Sequence, residues 1–198
     1  MRRVEVVGPS CSGKTTTARR LAAVLRVPFV ELDALHHDAG WTEAPAEVLQ
    51  ERVRAALDAA PDGWVVDGNY YTPLGGTVLD RADTVVHLDP SLPLAFGRVL
   101  WRTTWRAARR QELWNGNRES FRNMLFSRYS MPLWVLKQHG SFRRRVPEIV
   151  GQHRHLRVVR ITTRREADVW LQSIQPTESM SGSSNGSERQ KTPPLAET

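Results

Sequence analysis

Short apolar runs alternate with longer stretches in which apolar residues recur every three or four positions along the 198-residue chain. Short apolar runs predict buried strands, and the longer spacing predicts helices. The predicted strands cover residues 3–7, 27–33, 64–67, 84–89 and 156–161. The predicted helices cover residues 13–25, 45–60, 78–83, 91–113, 118–126, 131–138, 141–150 and 165–174. Because strands and helices alternate, the pattern predicts a three-layer α/β fold with a five-stranded parallel sheet.

A glycine-rich loop stands between the first predicted strand and the first predicted helix. Residues 8–15 read Gly-Pro-Ser-Cys-Ser-Gly-Lys-Thr, which fits the G-x-x-x-x-G-K-T pattern of phosphate-binding loops. Glycines let such a loop curl so that its N–H groups and the helix N-terminus face a phosphate. The expected nucleotide ligands are the loop residues Gly8, Ser10, Cys11, Ser12, Gly13, Lys14, Thr15 and Thr16.

Two side chains of this loop have specific expected roles. Lys14 would reach the β- and γ-phosphates, and the Thr15 hydroxyl would ligate Mg²⁺. The loop therefore predicts binding of a nucleoside triphosphate with Mg²⁺, and ATP and Mg²⁺ are the expected cofactors.

Aspartates end three of the predicted strands, where ligands of open α/β sheets bind. Asp67 would hold Mg²⁺ through water, although a capping role is the alternative. Asp33 would orient an acceptor hydroxyl or act as its general base, and a cap for the next turn is equally plausible. Asp89 is interpreted as structural, at the start of a helix.

Basic residues are concentrated in the second half of the chain. The net charge is +7, but residues 91–165 hold 17 Lys and Arg against 3 acidic residues, a difference of +14. Arg98 and Arg102 lie one helical turn apart and could clamp phosphates, whereas a solvated basic face is the alternative. Trp101 and Trp105 share a helical face and are expected in the core.

Other features narrow the class of protein. No apolar run approaches the length of a membrane span, no signal peptide fits the N-terminus, and the lone Cys11 excludes an internal disulfide, so a cytoplasmic protein is expected. Adjacent His36 and His37 cannot share one face of a helix or strand, so no metal is expected there. Residues 176–198 are poor in apolar residues and are expected to form a disordered tail.

The motifs together resemble the adenylate-kinase-like small P-loop kinases, and among them the proteins often labelled DNA topology modulation proteins. The resemblance covers residues 3–174 and is carried by the loop, by residues 32–35 with Gly40-Trp41, by residues 66–70, 81–83 and 114–119, and by Arg98 with Arg102.

The resemblance implies a kinase-like domain over residues 1–175. Within it, residues 34–60 would form an acceptor-binding segment and residues 103–150 a helical lid over the triphosphate. It also implies that Asp67 lies near Mg²⁺ and that Arg98 and Arg102 contact the nucleotide base and phosphates from the base of the lid.

The chain departs from nucleoside monophosphate kinases at two places. Those kinases carry an arginine soon after the second strand, where this chain has His36 and His37, and a Pro-Arg pair after Asp-Gly, where it has Asn69 and Tyr70. Residues 31–36 are instead similar to the acceptor strand of small hydroxyl-acceptor kinases such as gluconate kinase.

Two hypotheses follow. The first is an ATP-dependent phosphotransferase acting on a small molecule or nucleotide as a monomer or homodimer, with Lys14, Arg98 and Arg102 neutralising the transferring phosphoryl group and Asp33 orienting the acceptor. The second is an ATP-binding regulator that associates with DNA or RNA through the basic half of the chain.

Overall fold

The computed structural model describes residues 1–109 and 131–174. Its strands are β1 (Arg3–Val7), β2 (Phe29–Glu31), β3 (His37–Asp38), β4 (Thr42–Glu43), β5 (Trp64–Asp67), β6 (Thr84–Leu88) and β7 (Arg157–Ile161). Five of them form a sheet in the order β2-β5-β1-β6-β7, and every neighbouring pair is parallel. The α/β fold with a five-stranded parallel sheet is therefore confirmed. The other two strands, β3 and β4, form an antiparallel pair.

Helices flank the sheet. They are α1 (Lys14–Leu25), α2 (Leu32–His36), α3 (Ala46–Asp58), α4 (Tyr71–Leu74), α5 (Leu92–Arg109), α6 (Met131–Gly151) and α7 (Arg164–Ser173), and a 3₁₀ turn covers Ala39–Trp41. Within residues 1–109 and 131–174, no helix combines the length and apolar character needed to cross a membrane.

The two faces of the sheet are covered by different helices, as the alternation of side chains along a strand requires. Val4 and Val6 of β1 belong to one cluster of buried residues, which includes Leu21 of α1 and Leu171 of α7. Val7 lies on the opposite face and packs in a cluster with Val146 of α6. The phosphate-loop strand is thus buried on both faces, which makes it a rigid base for the loop that follows.

A carboxyl group interrupts this apolar strand. Glu5 of β1 is 2% exposed, and its Oε2 has no hydrogen-bond partner in the described structure. Burial raises the pKa of Glu5 to about 8, because the charged form loses its hydration. Burial also raises the pKa of Tyr71, and the negative charge of Glu5 adds to that rise. Glu5 is therefore a neutral acid over much of the physiological range.

The predicted strand 27–33 and the predicted helix 78–83 differ from the structure. The predicted strand 27–33 ends at Glu31, because Leu32 is fully buried beneath the α-carbon of Gly68 and the chain turns there into α2. Residues 78–83 form turns instead of a helix. They lead directly into β6, and the Asp83 carboxylate accepts hydrogen bonds from the N–H groups of Arg2 and Arg3.

The tryptophans of α5 do not lie in the core. Trp101 is 71% exposed and Trp105 is 45% exposed, and their rings stack with centroids 5.9 Å apart. The inward face of α5 is formed by Ala95 and Val99, which pack near Cys11. Because a helix advances 100° per residue, Trp101 and Trp105 fall on another face.

The predicted helices 131–138 and 141–150 form the single helix α6, which continues through Gly140 and Pro147. Several other expectations fall outside the described residues. They are the end of the predicted helix 91–113 beyond Arg109, the predicted helix 118–126, the central part of the lid and the tail 176–198.

Strand β7 lies at one end of the described sheet. Its Val158 is 52% exposed, with Arg157 before it and Arg160 two positions after it. The opposite end of the sheet is β2, which precedes the acceptor-side residues described below.

Candidate active site

The phosphate loop, residues 8–15, leaves the carboxyl end of β1 and enters α1. Its backbone has positive φ at Gly8, Cys11 and Gly13 (151°, 61° and 98°). A Cβ on Gly8 would lie 2.3 Å from the Leu88 carbonyl oxygen, so only glycine fits at that position. Lys14 Nζ donates to the Pro9 carbonyl at 3.2 Å, which holds the ammonium group over its own loop.

Thr15 and Asp67 meet beside the loop. The Thr15 hydroxyl donates to Asp67 Oδ2 at 2.5 Å. Asp67 ends β5, the strand next to β1, and it is 4% exposed. Burial raises the pKa of Asp67, and the charge of Lys14 together with the Thr15 hydrogen bond partly offsets that rise. The structure therefore brings together the two residues predicted to serve the metal.

The donor set at this point fits Mg²⁺. Asp67 Oδ1 is buried and has no hydrogen-bond partner in the described structure, and it lies on the carboxylate that accepts from Thr15. Hydroxyl and carboxylate oxygens are the hard ligands that Mg²⁺ takes, with phosphate oxygens and water completing its shell. Among the described residues no group of three or more His, Cys, Asp or Glu is placed to hold a metal.

Arg98 approaches the loop from α5. Its Nη1 donates to the Ser12 carbonyl at 3.1 Å. A cavity of about 400 Å³ opens beside it, and its lining includes Thr16, Arg98, Thr163 and Arg164. This space lies outside the carboxyl ends of β6 and β7, where a nucleotide base could lie. Arg102 follows one turn later on α5, but its side chain is outside the described part of the structure.

Asn69 forms a contact that the sequence did not predict. Its Nδ2 donates to the Gly8 carbonyl at 2.6 Å, and its Oδ1 accepts from the Gly8 N–H at 3.0 Å. The position of Asn69 in the chain could have indicated this contact, because Asn69 follows Asp67-Gly68 at the end of the strand that neighbours β1. The sequence analysis used Asn69 only in the family comparison, as part of residues 66–70 and as a departure from nucleoside monophosphate kinases.

Asp33 lies in α2, two residues beyond the end of β2. Its Oδ1 accepts a hydrogen bond from the Tyr70 hydroxyl at 2.6 Å. Burial raises the pKa of Tyr70, and the neighbouring Asp33 carboxylate raises it further, so the tyrosine stays a donor. Tyr70 was likewise missed as a site residue, although it is adjacent to Asn69.

The acceptor-side segment, residues 32–45, is held by an arginine and by aromatic rings. Arg52 of α3 donates to the Asp38 carboxylate at 2.9 Å and to the Leu35 carbonyl at 2.8 Å. The His36 ring lies 4.7 Å from the Tyr70 ring, centroid to centroid. Burial lowers the pKa of His36, and the neighbouring His37 lowers it further, so His36 is predominantly neutral at neutral pH.

A second cavity adjoins this segment. It measures about 200 Å³ and lies between the chain after β5 and helix α6. Its lining includes Asn69, Tyr70, Ser141, Phe142 and Arg145. Because Asn69 binds the phosphate loop and Tyr70 binds Asp33, the cavity adjoins both parts of the candidate site.

Asp89 has a different structural role from the helix start that was expected. It is 2% exposed, Arg143 of α6 lies 2.9 Å from its Oδ1, and Arg160 Nε donates to its Oδ2 at 3.1 Å. Burial alone would raise the pKa of Asp89, but the hydrogen bond from Arg160 and the charge of Arg143 outweigh burial and lower it. Asp89 therefore ties α6 to the sheet end beside the loop.

Comparison with known proteins supports the fold. No family model matches the chain, and no curated protein sequence matches it. Among solved structures, a shikimate kinase from Bacteroides thetaiotaomicron aligns with TM-score 0.50 and 14% identity over 86% of this chain and 94% of that chain. A shikimate kinase from Acinetobacter baumannii, in complex with shikimate, aligns with TM-score 0.51 and 18% identity over 87% of this chain and 89% of that chain.

The chain thus has the P-loop α/β fold found in these small-molecule kinases. At these identities the similarity concerns the fold, and the chemistry has to be inferred from the site itself. The label of DNA topology modulation protein is not confirmed by these comparisons.

Proposed function

We propose that this protein is an ATP-dependent kinase that transfers the γ-phosphoryl group of Mg-ATP to a hydroxyl group of a small acceptor. The observation that carries the proposal is the Thr15–Asp67 hydrogen bond of 2.5 Å beside Lys14, at the start of α1. This arrangement brings a cation, a hydroxyl and a buried carboxylate to the end of a helix whose free N–H groups favour phosphate.

Each residue of the loop has a task that its position supports. The N–H groups at the start of α1 would bind phosphate oxygens, and Lys14 would exchange the Pro9 carbonyl for the β- and γ-phosphates. Thr15 and Asp67 would hold Mg²⁺, which supplies charge neutralisation on the phosphates when bound. Arg98 would add positive charge next to Ser12, and we assign the same task to Arg102.

Asp33 is the proposed partner of the acceptor hydroxyl. It would accept the proton or orient the hydroxyl, and Tyr70 would hold its carboxylate in place. Residues 34–60, which include the Arg52–Asp38 pair, would bind the rest of the acceptor. The acceptor-side segment itself contains no arginine, and Arg52 of α3 is bound to the Asp38 carboxylate and the Leu35 carbonyl.

The nucleic-acid hypothesis is not favoured. It needs basic side chains that are available to a phosphate backbone. Two arginines of the basic half, Arg143 and Arg160, are instead paired with the Asp89 carboxylate of this chain.

The test is ADP release from Mg-ATP by the purified protein, measured over a panel of nucleosides, nucleoside monophosphates, sugar acids and ring hydroxy acids. We expect release that depends on one class of acceptor and is lost in Lys14→Ala. Arg154→Ala, which removes an exposed cation at the amino end of β7, is the matched control and should keep full activity. Absence of Mg-ATP binding, or acceptor-dependent activity that survives Lys14→Ala, would overturn the proposal.

A further inference from the structure

We propose that Asn69 is a positioning residue for the phosphate loop, which it holds in its phosphate-binding curvature before any nucleotide arrives. The inference rests on the nucleotide binding proposed above. The Asn69 amide binds both the N–H and the carbonyl of Gly8. Gly8 thus anchors the loop, and the N–H groups farther along the loop remain for phosphate.

The Asn69 amide continues the sheet past the point where its backbone pairing ends. β1 pairs with β5 up to Val6 opposite Asp67, and the Gly68 N–H donates to the Val6 carbonyl at 3.4 Å. Beyond this point the segments that follow β1 and β5 enter different loops. The side chain of Asn69 then supplies one donor and one acceptor to Gly8, as a neighbouring strand would.

Gly8 is fixed from the other side as well. Its α-carbon lies so close to the Leu88 carbonyl of β6 that an added Cβ would be 2.3 Å from that oxygen. With φ at 151°, Gly8 turns the chain away from β1 while held between Asn69 and Leu88. A clamp on both sides removes the freedom that glycine would otherwise give this position.

Pre-organisation matters for a loop that binds through its backbone. Such a loop contributes N–H groups whose directions must suit the phosphates, and ordering them at the moment of binding costs conformational entropy. The cost falls if the loop is already held in shape. Asn69 also adjoins Tyr70, which binds Asp33, so one short segment contacts both the loop and the proposed acceptor residue.

The test compares Asn69→Leu, which keeps the size of the side chain but removes both hydrogen bonds, with Asn69→Asp, which keeps only the acceptor. Gln50→Leu is the matched control. The Gln50 amide donates to the Pro73 carbonyl at 2.7 Å, so it also holds the chain that follows β5, but at a point outside the phosphate loop. Three quantities are measured on the full chain: amide hydrogen exchange of residues 8–15 without nucleotide, affinity for Mg-ADP by calorimetry, and thermal unfolding.

For Asn69→Leu we expect exchange of the loop amides to be at least tenfold faster and Mg-ADP affinity to be about tenfold weaker, as the loss of two hydrogen bonds predicts. Asn69→Asp should show smaller changes in exchange but a comparable loss of affinity, because its added charge repels phosphate. Gln50→Leu should change the unfolding temperature by a similar amount while leaving loop exchange and affinity unchanged.

Two results would overturn the inference: loop exchange that is the same in Asn69→Leu and the wild type, or equal changes in Gln50→Leu. The proposed function fails separately. If the wild-type protein did not bind Mg-ADP while Asn69→Leu still exchanged faster, the clamp would stand and the nucleotide assignment would fall.

Discussion

The phosphate loop and the acceptor-side segment flank the same sheet end but are built in different ways. The loop is set mainly by its backbone, with Gly8 clamped between Asn69 and the Leu88 carbonyl. The acceptor-side segment is set by side chains, through the Arg52–Asp38 pair and the rings around Tyr70. The loop N–H groups would contact phosphates, which all nucleoside triphosphates share, whereas side chains recognise features particular to one acceptor. This difference explains why the phosphoryl donor can be inferred from the loop more readily than the phosphoryl acceptor can be inferred from its segment.

The largest expected effect is on the loop side. Lys14→Ala removes the cation that would neutralise the transferring phosphoryl group, and we expect acceptor-dependent ADP release to fall at least about 1,000-fold. The free energy of unfolding should change by no more than about 1 kcal/mol, because the Lys14 side chain is only partly buried. Turnover and urea unfolding measure the two quantities. Retention of more than a tenth of the activity would contradict the assigned role.

The second prediction concerns the strand beneath the loop. The pKa of Glu5 rises from 4.5 to about 8 on burial, so the folded state keeps a proton that the unfolded state loses between these values. Stability must therefore fall as pH rises through this window. Each pKa unit corresponds to about 1.4 kcal/mol, so we expect a loss of several kcal/mol between pH 5 and pH 8.

Glu5→Gln carries no titrating proton and should lose far less stability over the same range. Urea unfolding of both proteins at pH 5, 6.5 and 8 measures the difference, which should grow with pH. Parallel stability profiles for the two proteins would show that Glu5 is not buried as a neutral acid.

The third prediction tests the metal side of the loop. Asp67→Asn keeps an oxygen for the Thr15 hydroxyl but removes the negative charge. Loss of a carboxylate at such a site lowers metal affinity or activity about 10- to 100-fold. We therefore expect turnover to fall about 100-fold and the half-saturating Mg²⁺ concentration to rise about tenfold. ADP release titrated with MgCl₂ provides both values. Asp62→Asn, in the exposed turn before β5, should leave the titration unchanged.

The smallest expected effect is on the acceptor side. Tyr70→Phe removes the hydrogen bond to Asp33, and we expect the acceptor KM to rise about fivefold, corresponding to about 1 kcal/mol. Affinity for Mg-ADP should stay unchanged, since Tyr70 contacts Asp33 and not the loop. The neighbouring Tyr71→Phe is the control, because the buried Tyr71 hydroxyl has no hydrogen-bond partner in the described structure. An equal loss of Mg-ADP affinity would show that the two regions are not independent.

The sequence predicted those features that depend on neighbouring residues. The loop is contiguous, and the apolar runs define the order of strands and helices, so both could be inferred without coordinates. Asp67 was expected to face the phosphate loop because parallel strands end at the same edge of a sheet, and it lies within hydrogen-bond distance of Thr15. Asp33 was expected at the end of a strand but lies in α2. Leu32 packs beneath Gly68, and the chain turns into α2 two residues earlier than expected.

Contacts between distant residues could not be predicted. Asn69 binds a residue 61 positions away and Tyr70 binds one 37 positions away, and neither pairing leaves a periodic signal in the sequence. The exposure of Trp101 and Trp105 could not be predicted either, because their spacing defines a shared helical face without indicating whether that face points inward.

The position of β7 at the end of the described sheet bears on how concentrated solutions of this protein behave. An edge strand can pair with another copy, and a half-exposed Val158 would favour such growth. The charge of Arg157 opposes it, because two such edges brought together would place like charges near one another. Salt screens that repulsion, so the protein should remain dispersed at low ionic strength and become prone to self-association as salt is added.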